Sequence, residues 1–211
     1  MKYYCLHHSP AKERKAYLDI FFDKQRLNVE WIEDFLPTSF DVINHPKVNC
    51  VHAAKQNVLN DAEVSLCLKH NLAIEKICKI NDYGIIFEDD IKQPSWNIKE
   101  YLPKMIDEFE KINGEILWIG SDPYFDNMVI NLNDPNKISI VTNQYTKSRF
   151  AHCYMIHSTV ANKVIDYYKN IQAPPDWQWN YTIDYFHLKS CWIYPVIYQR
   201  TANKEIPSLL R

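Results

Sequence analysis

The chain has 211 residues, 46% hydrophobic and 24% charged, with a formal net charge of -2. That length supports one core, read as a single domain over residues 1–211, and the composition excludes wholesale disorder. The near-balanced charge supplies no overall basic field for nucleic acid, and no apolar run approaches the roughly 20 residues that span a bilayer.

Taken in chain order, Tyr3–Leu6 is short and aromatic-rich and predicts a first strand, turned by His7-His8-Ser9-Pro10. A helix is expected over Ala11–Arg26, then short strands at Val29–Ile32 and Phe40–Ile43, with a loop over Asn44–Asn57. Asn60 and Glu63 have the spacing of a capping box, opening a helix to about Lys79 that buries Val64, Cys67, Leu68, Ala73, Ile74 and Ile77. Gly84-Ile85-Ile86-Phe87-Glu88-Asp89-Asp90 follows as a buried strand ending in carboxylates. Further elements are a helix at Ile98–Ile112, a strand at Glu115–Gly120, a surface excursion at Asn131–Lys137 and a weak strand at Ile138–Thr142. Then come a strand at Phe150–His157, a helix capped by Ser158, a helix at Trp177–Ser190 and a last strand at Trp192–Tyr198. Strands alternating with helices imply an α/β fold with a mainly parallel sheet covered on both faces, and such sheets bind ligands beyond the strand C-termini.

The strand ending at Glu88-Asp89-Asp90 is the candidate site. If the pleat persists, Glu88 and Asp90 project to one side and Asp89 to the other. Converging carboxylates suit a hard cation such as Mg²⁺ or Mn²⁺, whereas an isolated acidic turn would simply be solvated. The three glycines, Gly84, Gly114 and Gly120, fall in neither GxGxxG nor GxxxxGK spacing. This argues against classical dinucleotide enzymes and P-loop NTPases. The six cysteines, Cys5, Cys50, Cys67, Cys78, Cys153 and Cys191, include no CxxC pair and read as reduced thiols. Without an N-terminal signal-peptide pattern, the expected compartment is the cytoplasm.

Ordered blocks resemble glycosyltransferase family 25, which includes bacterial lipooligosaccharide and procollagen galactosyltransferases. Tyr3–Leu6 with Arg14 is similar to its N-terminal strand and helix, and Asp61–Val64 through Leu68-Lys69-His70 to "GEIGCxLSH". Ile85–Asp90 is similar to "VLEDD", and Ala151–Ile156 to "THAYLIS". Pro175-Asp176-Trp177, then Tyr194-Pro195 and Gln199, resemble its "PxD" and "YPxxxxQ" blocks. Lys69 departs from the family's Ser, and Ser148-Arg149-Phe150 from its small Gly-Thr pair.

The resemblance implies a GT-A-type fold and an inverting transfer of galactose or glucose. The donor would be a UDP-hexose, assisted by Mn²⁺ or Mg²⁺, and the acceptor a saccharide or a hydroxylated protein side chain. Asp90 and Glu88 become the expected metal ligands, with Gln199 aimed at the metal or diphosphate. Asp89 is expected at the ribose or behind the metal, and Arg14 at the uracil or phosphate, unless it is a solvated helix charge. Asp176 is the candidate base, or a helix N-cap, and Asp122 the second choice. His70 and His152 match family positions, against the alternative of hydrogen-bonded core histidines. Trp177, Trp179 and Tyr181 are read either as a sugar-stacking wall or as the core face of their helix. The pair His7-His8 stays outside the expected site. The competing classes are a non-catalytic relative that binds a sugar or partner protein, and a metal-dependent phosphoryl-transfer enzyme or nuclease.

Overall fold

The computed structural model describes residues 1–46, 58–94, 96–120, 139–141, 151–197 and 200. The strands are β1 (Lys2–Leu6), β2 (Val29–Ile32), β3 (Tyr83–Glu88), β4 (Ile116–Gly120), β5 (Ser139–Val141), β6 (Cys153–His157) and β7 (Ser190–Ile197). The helices are α1 (Lys12–Lys24), α2 (Phe40–Ile43), α3 (Asp61–Cys78), α4 (Ile98–Lys111), α5 (Ser158–Tyr168) and α6 (Pro175–Phe186).

All these strands join one sheet in the order β2-β1-β3-β6-β4-β7-β5. Strands β1, β2, β3, β4 and β7 run in one direction, while β6, between β3 and β4, and β5 at the edge run in the other. The sheet is therefore mainly parallel, as expected, with an antiparallel strand at its centre that the sequence pattern did not announce.

Strict alternation along the central strands makes two apolar faces. Tyr4, Leu6, Ile86, Ile116, Trp118, Tyr154, Ile156 and Trp192 pack with Ala73, Ile74 and Ile77 of α3, Val160 and Val164 of α5, and Trp179 and Ile183 of α6. The intervening Cys5, Ile85, Phe87, Leu117, Ile119, Cys153, Met155, Cys191 and Ile193 pack with Leu18, Phe21 and Phe22 of α1 and Leu102, Met105 and Phe109 of α4. The mixed α/β fold is thus a central sheet with helices on both sides.

The capping box forms: Glu63 N–H donates to Asn60 Oδ1 at 2.9 Å, and Asn60 N–H to Glu63 Oε2 at 3.0 Å. Two local expectations change. Phe40–Ile43 is a single helical turn, not a strand, with Ile43 N–H donating to Ser39 O and Asn44 N–H to Phe40 O. Only Val42 is buried there, Phe40 being 80% exposed, and among the described residues this β-prone segment joins no sheet. At α5 the cap is His157, whose ring nitrogen accepts from Thr159 N–H at 3.2 Å, and Ser158 is the first helical residue. The excursion expected at Asn131–Lys137 and most of the Asn44–Asn57 loop lie outside the described residues. The described cysteines Cys5, Cys67, Cys78, Cys153 and Cys191 are free thiols. No helix of the described residues is long and apolar enough to cross a membrane.

Candidate functional site

Parallel pairing of β1 with β3 sets Leu6 opposite Glu88, so the chain leaving β1 runs beside the carboxylates leaving β3. The same end of the sheet receives β4 at Gly120 and β7 at Ile197, which pair with each other. On the other side of β3, Glu88 N–H donates to His152 O at 2.8 Å, and beyond β7 the Arg200 N–H donates to Asp90 O at 2.6 Å. Strand β3 itself stops at Glu88, and Asp89-Asp90 form a turn. The carboxylate cluster thus sits where parallel strands end, the position at which open α/β sheets take ligands.

The three carboxylates have different surroundings. Asp89 turns toward α1. Its Oδ1 accepts from Arg14 Nη1 at 2.6 Å, and its Oδ2 accepts from His7 Nδ1–H and His8 N–H, both at 2.9 Å. Burial pushes the Asp89 pKa up, but the hydrogen bonds from His7 and His8 and the Arg14 charge prevail and hold it below the usual carboxylate value. Arg14 is 9% exposed and Asp89 7%. Arg14 is therefore not a solvated helix charge; it is a counter-ion of Asp89. With both oxygens engaged, Asp89 serves to tie the β1–α1 turn to the end of β3. His7 and His8 complete this tie, although the sequence reading left them aside. Their signal was positional: residues just after a strand parallel to β3 must lie beside its C-terminal end.

Glu88 points to the opposite face, where His70 Nε2 lies 3.2 Å from its Oε1. Burial first, then the negative charges of Asp90, Asp176 and Asp89, push the Glu88 carboxyl well above its ordinary range, with Arg14 opposing. Asp90 is buried at 8% exposure. Glu88, Asp90 and Asp176 therefore share one field, although Asp176 is 86 positions beyond Asp90 in sequence (176 minus 90). Asp176 is not the cap of its helix: Pro174 holds that position, Pro175 opens α6, and Asp176 Oδ1 accepts from Trp177 N–H at 2.9 Å. Proline at the first helical position presets the backbone there.

The two family-matched histidines separate. His70 lies against Glu88, with its Nδ1 3.0 Å from Tyr154 Oη. Burial lowers its pKa to about 3, so the ring is neutral. His152 instead belongs to the core. Its Nε2–H donates to Ile197 O at 2.8 Å, and the close approach of its ring leaves no room for a Cβ on Gly120. Burial lowers its pKa to about 4 against the raising effect of the Ile197 carbonyl. His152 stitches β7 to the centre of the sheet, in keeping with the hydrogen-bonded core histidine that was one of its two readings.

Lys69 Nζ, from α3, donates to Asp34 O, and burial pulls its pKa down to about 8. The departure from serine is thus a buried tie to the segment after β2. Trp179 is core, with ring centroids 5.2 Å from Tyr154 and 4.8 Å from Tyr168, while Trp177 and Tyr181 pack at the margin of a smaller cluster around Val64 and Cys67. Asp122, Gln199 and Arg149 lie outside the described residues.

Among the described residues no group of three or more His, Cys, Asp or Glu is arranged to hold a metal ion. Glu88 and Asp90 still fit a divalent cation chemically. Asp90 is buried and Glu88 half-buried, both are hard-oxygen donors of like charge, and Mg²⁺ is commonly held by one or two carboxylates with substrate phosphates and water.

No family model matches the chain, and no curated protein matches it either. Among solved structures it is similar to a Bacillus anthracis protein provisionally assigned as a glucose-1-phosphate thymidylyltransferase and crystallised with a sucrose. The TM-score is 0.40 at 10% identity, over 88% of this chain and 66% of that one. The chain thus spans just under two thirds of that protein's length.

Proposed function

We propose that the chain is a cation-assisted glycosyltransferase with a GT-A-type site, related to family 25, transferring galactose or glucose from a UDP-hexose to a hydroxyl with inversion. The observation that carries this reading is the shared field of Glu88, Asp90 and Asp176 at the end of β3. Three carboxylates drawn from two distant segments repel one another unless a cation or a proton intervenes. Glu88 and Asp90 would hold Mn²⁺ or Mg²⁺. Bound there, the ion neutralises charge growing on the departing diphosphate. Asp176 is the base: it takes the proton from the acceptor hydroxyl as the new bond to the anomeric carbon forms, and the bond to UDP breaks with its electron pair leaving on UDP. Asp89, engaged by Arg14, His7 and His8, keeps the strand end in place and leaves its neighbours to the ligand.

A donor screen by UDP release, with Mn²⁺ or Mg²⁺ and then with EDTA, tests the reading. Cation-dependent turnover of at least one UDP-hexose is expected, with loss in Asp90→Asn. Asp176→Asn is expected to lower kcat by about 10²- to 10⁴-fold while UDP binding persists. No turnover across the panel, or wild-type rates in Asp90→Asn, overturns the proposal. Binding of UDP or glycan that needs no cation and leads to no turnover favours a non-catalytic sugar-binding role.

A further inference from the structure

Strand β3 ends at Glu88, so Asp90 stands on a turn beyond the strand ladder. Three segments far apart in sequence meet around that turn. Just beyond β7, Arg200 N–H donates to Asp90 O at 2.6 Å. The guanidinium carbon of Arg200 lies 4.2 Å from the ring centroid of Tyr17 on α1. Tyr17 Oη in turn accepts from Gln93 N–H at 3.0 Å. The contacts close a ring that runs from Asp90 through Arg200, Tyr17 and Gln93 and returns along the chain to Asp90. Inside that ring Ile91 is 0% exposed and packs in the apolar cluster that holds Leu18 of α1.

Each link has its own physical origin. The hydrogen bond to Asp90 O fixes where that peptide lies, and the guanidinium is attracted by the negative face of the tyrosine ring. Arginine keeps its charge throughout the pH range in which proteins fold, so the link involves no change of protonation. The elements that bring the two residues together are themselves anchored. The end of β7 is held where His152 Nε2 meets Ile197 O at 2.8 Å, and α1 is held by the buried Leu18, Phe21 and Phe22. A ligand carried on a turn is placed less accurately than one on a strand unless neighbours of fixed position hold it.

We propose that Arg200 and Tyr17 form a clamp that fixes the backbone at Asp90 and thereby aims its carboxylate at the cation. They are positioning residues that act through Asp90. This role rests on the transfer reading, and it gives α1 and the chain beyond β7 a share in the geometry of a ligand that follows β3.

The test measures Mn²⁺ affinity in the presence of UDP by calorimetry, together with amide hydrogen exchange of the cation-free protein at residues 90–93 and 200. It uses wild type, Arg200→Met, Arg200→Lys, Tyr17→Phe and Tyr17→Leu. Arg200→Met, which keeps a long side chain without the charge, is expected to weaken Mn²⁺ binding on the order of 5-fold. Tyr17→Leu, which removes both the ring and the hydroxyl, is expected to weaken it on the order of 10-fold. Arg200→Lys, still a cation, should fall between Arg200→Met and wild type. Tyr17→Phe keeps the ring and should speed exchange at the Gln93 amide while leaving the Arg200 amide protected. Wild-type affinity in either Arg200→Met or Tyr17→Leu, while wild type binds Mn²⁺ and UDP, overturns the proposal and leaves the transfer reading standing. Faster exchange around the turn does not rescue it in that case, because a purely structural tie would give the same. Wild type that binds neither ligand overturns the transfer reading and the positioning role together. Should Tyr17→Leu fail to fold, Arg200→Met, at a half-buried position, decides the question.

Discussion

Replacing Arg14 by methionine separates a structural role for this residue from a donor-binding one. Its Nη1 donates to Asp89 Oδ1 at 2.6 Å, with the two residues 9% and 7% exposed. Removing one partner of a buried pair typically costs about 3–5 kcal/mol, because the other charge stays buried. Asp89 would keep the bonds from His7 Nδ1–H and His8 N–H, which places the expected loss near the low end, about 3 kcal/mol. For a chain of this size that is a fall in Tm of roughly 6–12 °C.

The loss also has a pH signature. The folded-state pKa of Asp89 is depressed below the ordinary carboxylate value, so its contribution is fully present above the unfolded value of about 3.9. It is lost as pH falls from there through the folded value. Urea unfolding of wild type and Arg14→Met should therefore differ by about 3 kcal/mol at pH 7 and converge as the solution is acidified below pH 4. A difference below about 1 kcal/mol at pH 7, as for an exposed pair, refutes the buried-tie account. So does unchanged stability with a raised KM for the UDP-sugar, which would mean that Arg14 contacts the donor.

Gly120→Ala should destabilise by about 1–3 kcal/mol, since the new Cβ falls on His152 Nε2 and must displace the ring from Ile197 O; unchanged Tm would remove His152 from the core. Lys69 supplies a second pH test, of the same sign as that of Asp89 but in an alkaline window. Its pKa falls from 10.5 to about 8 on folding, so the unfolded chain binds more protons between these values, and stability should rise with pH across that window. Lys69→Met should abolish this rise. Parallel wild-type and variant curves from pH 7 to 10 would show that Lys69 stays solvated.

Much of the fold was legible because periodicity reports how a side chain stands relative to its own backbone. The short apolar runs Tyr3–Leu6 and Ile85–Phe87 gave buried strands, and Asn60 with Glu63 gave the start of α3 before any partner was known. Strand alternation correctly sent Glu88 and Asp89 to opposite faces. Where a preference lacks a partner it misleads, as at Phe40–Ile43, whose β-prone residues close a helical turn and pair with no strand among the described residues. Residue type alone also gave two histidines the same weight at family-matched positions. Only packing made one a neighbour of Glu88 and the other a brace for Ile197.

The sequence by itself thus determined an α/β chain with an acidic strand end, and named Glu88 and Asp90 as the groups able to face a cation. The tertiary structure decided what each carboxylate lies against. Asp89 meets Arg14 and His7 across 75 and 82 residues of chain, and those meetings depend on β1 lying parallel to β3 with Leu6 opposite Glu88. Strand register is set by the burial of whole faces, a property of the assembled sheet that no local pattern carries.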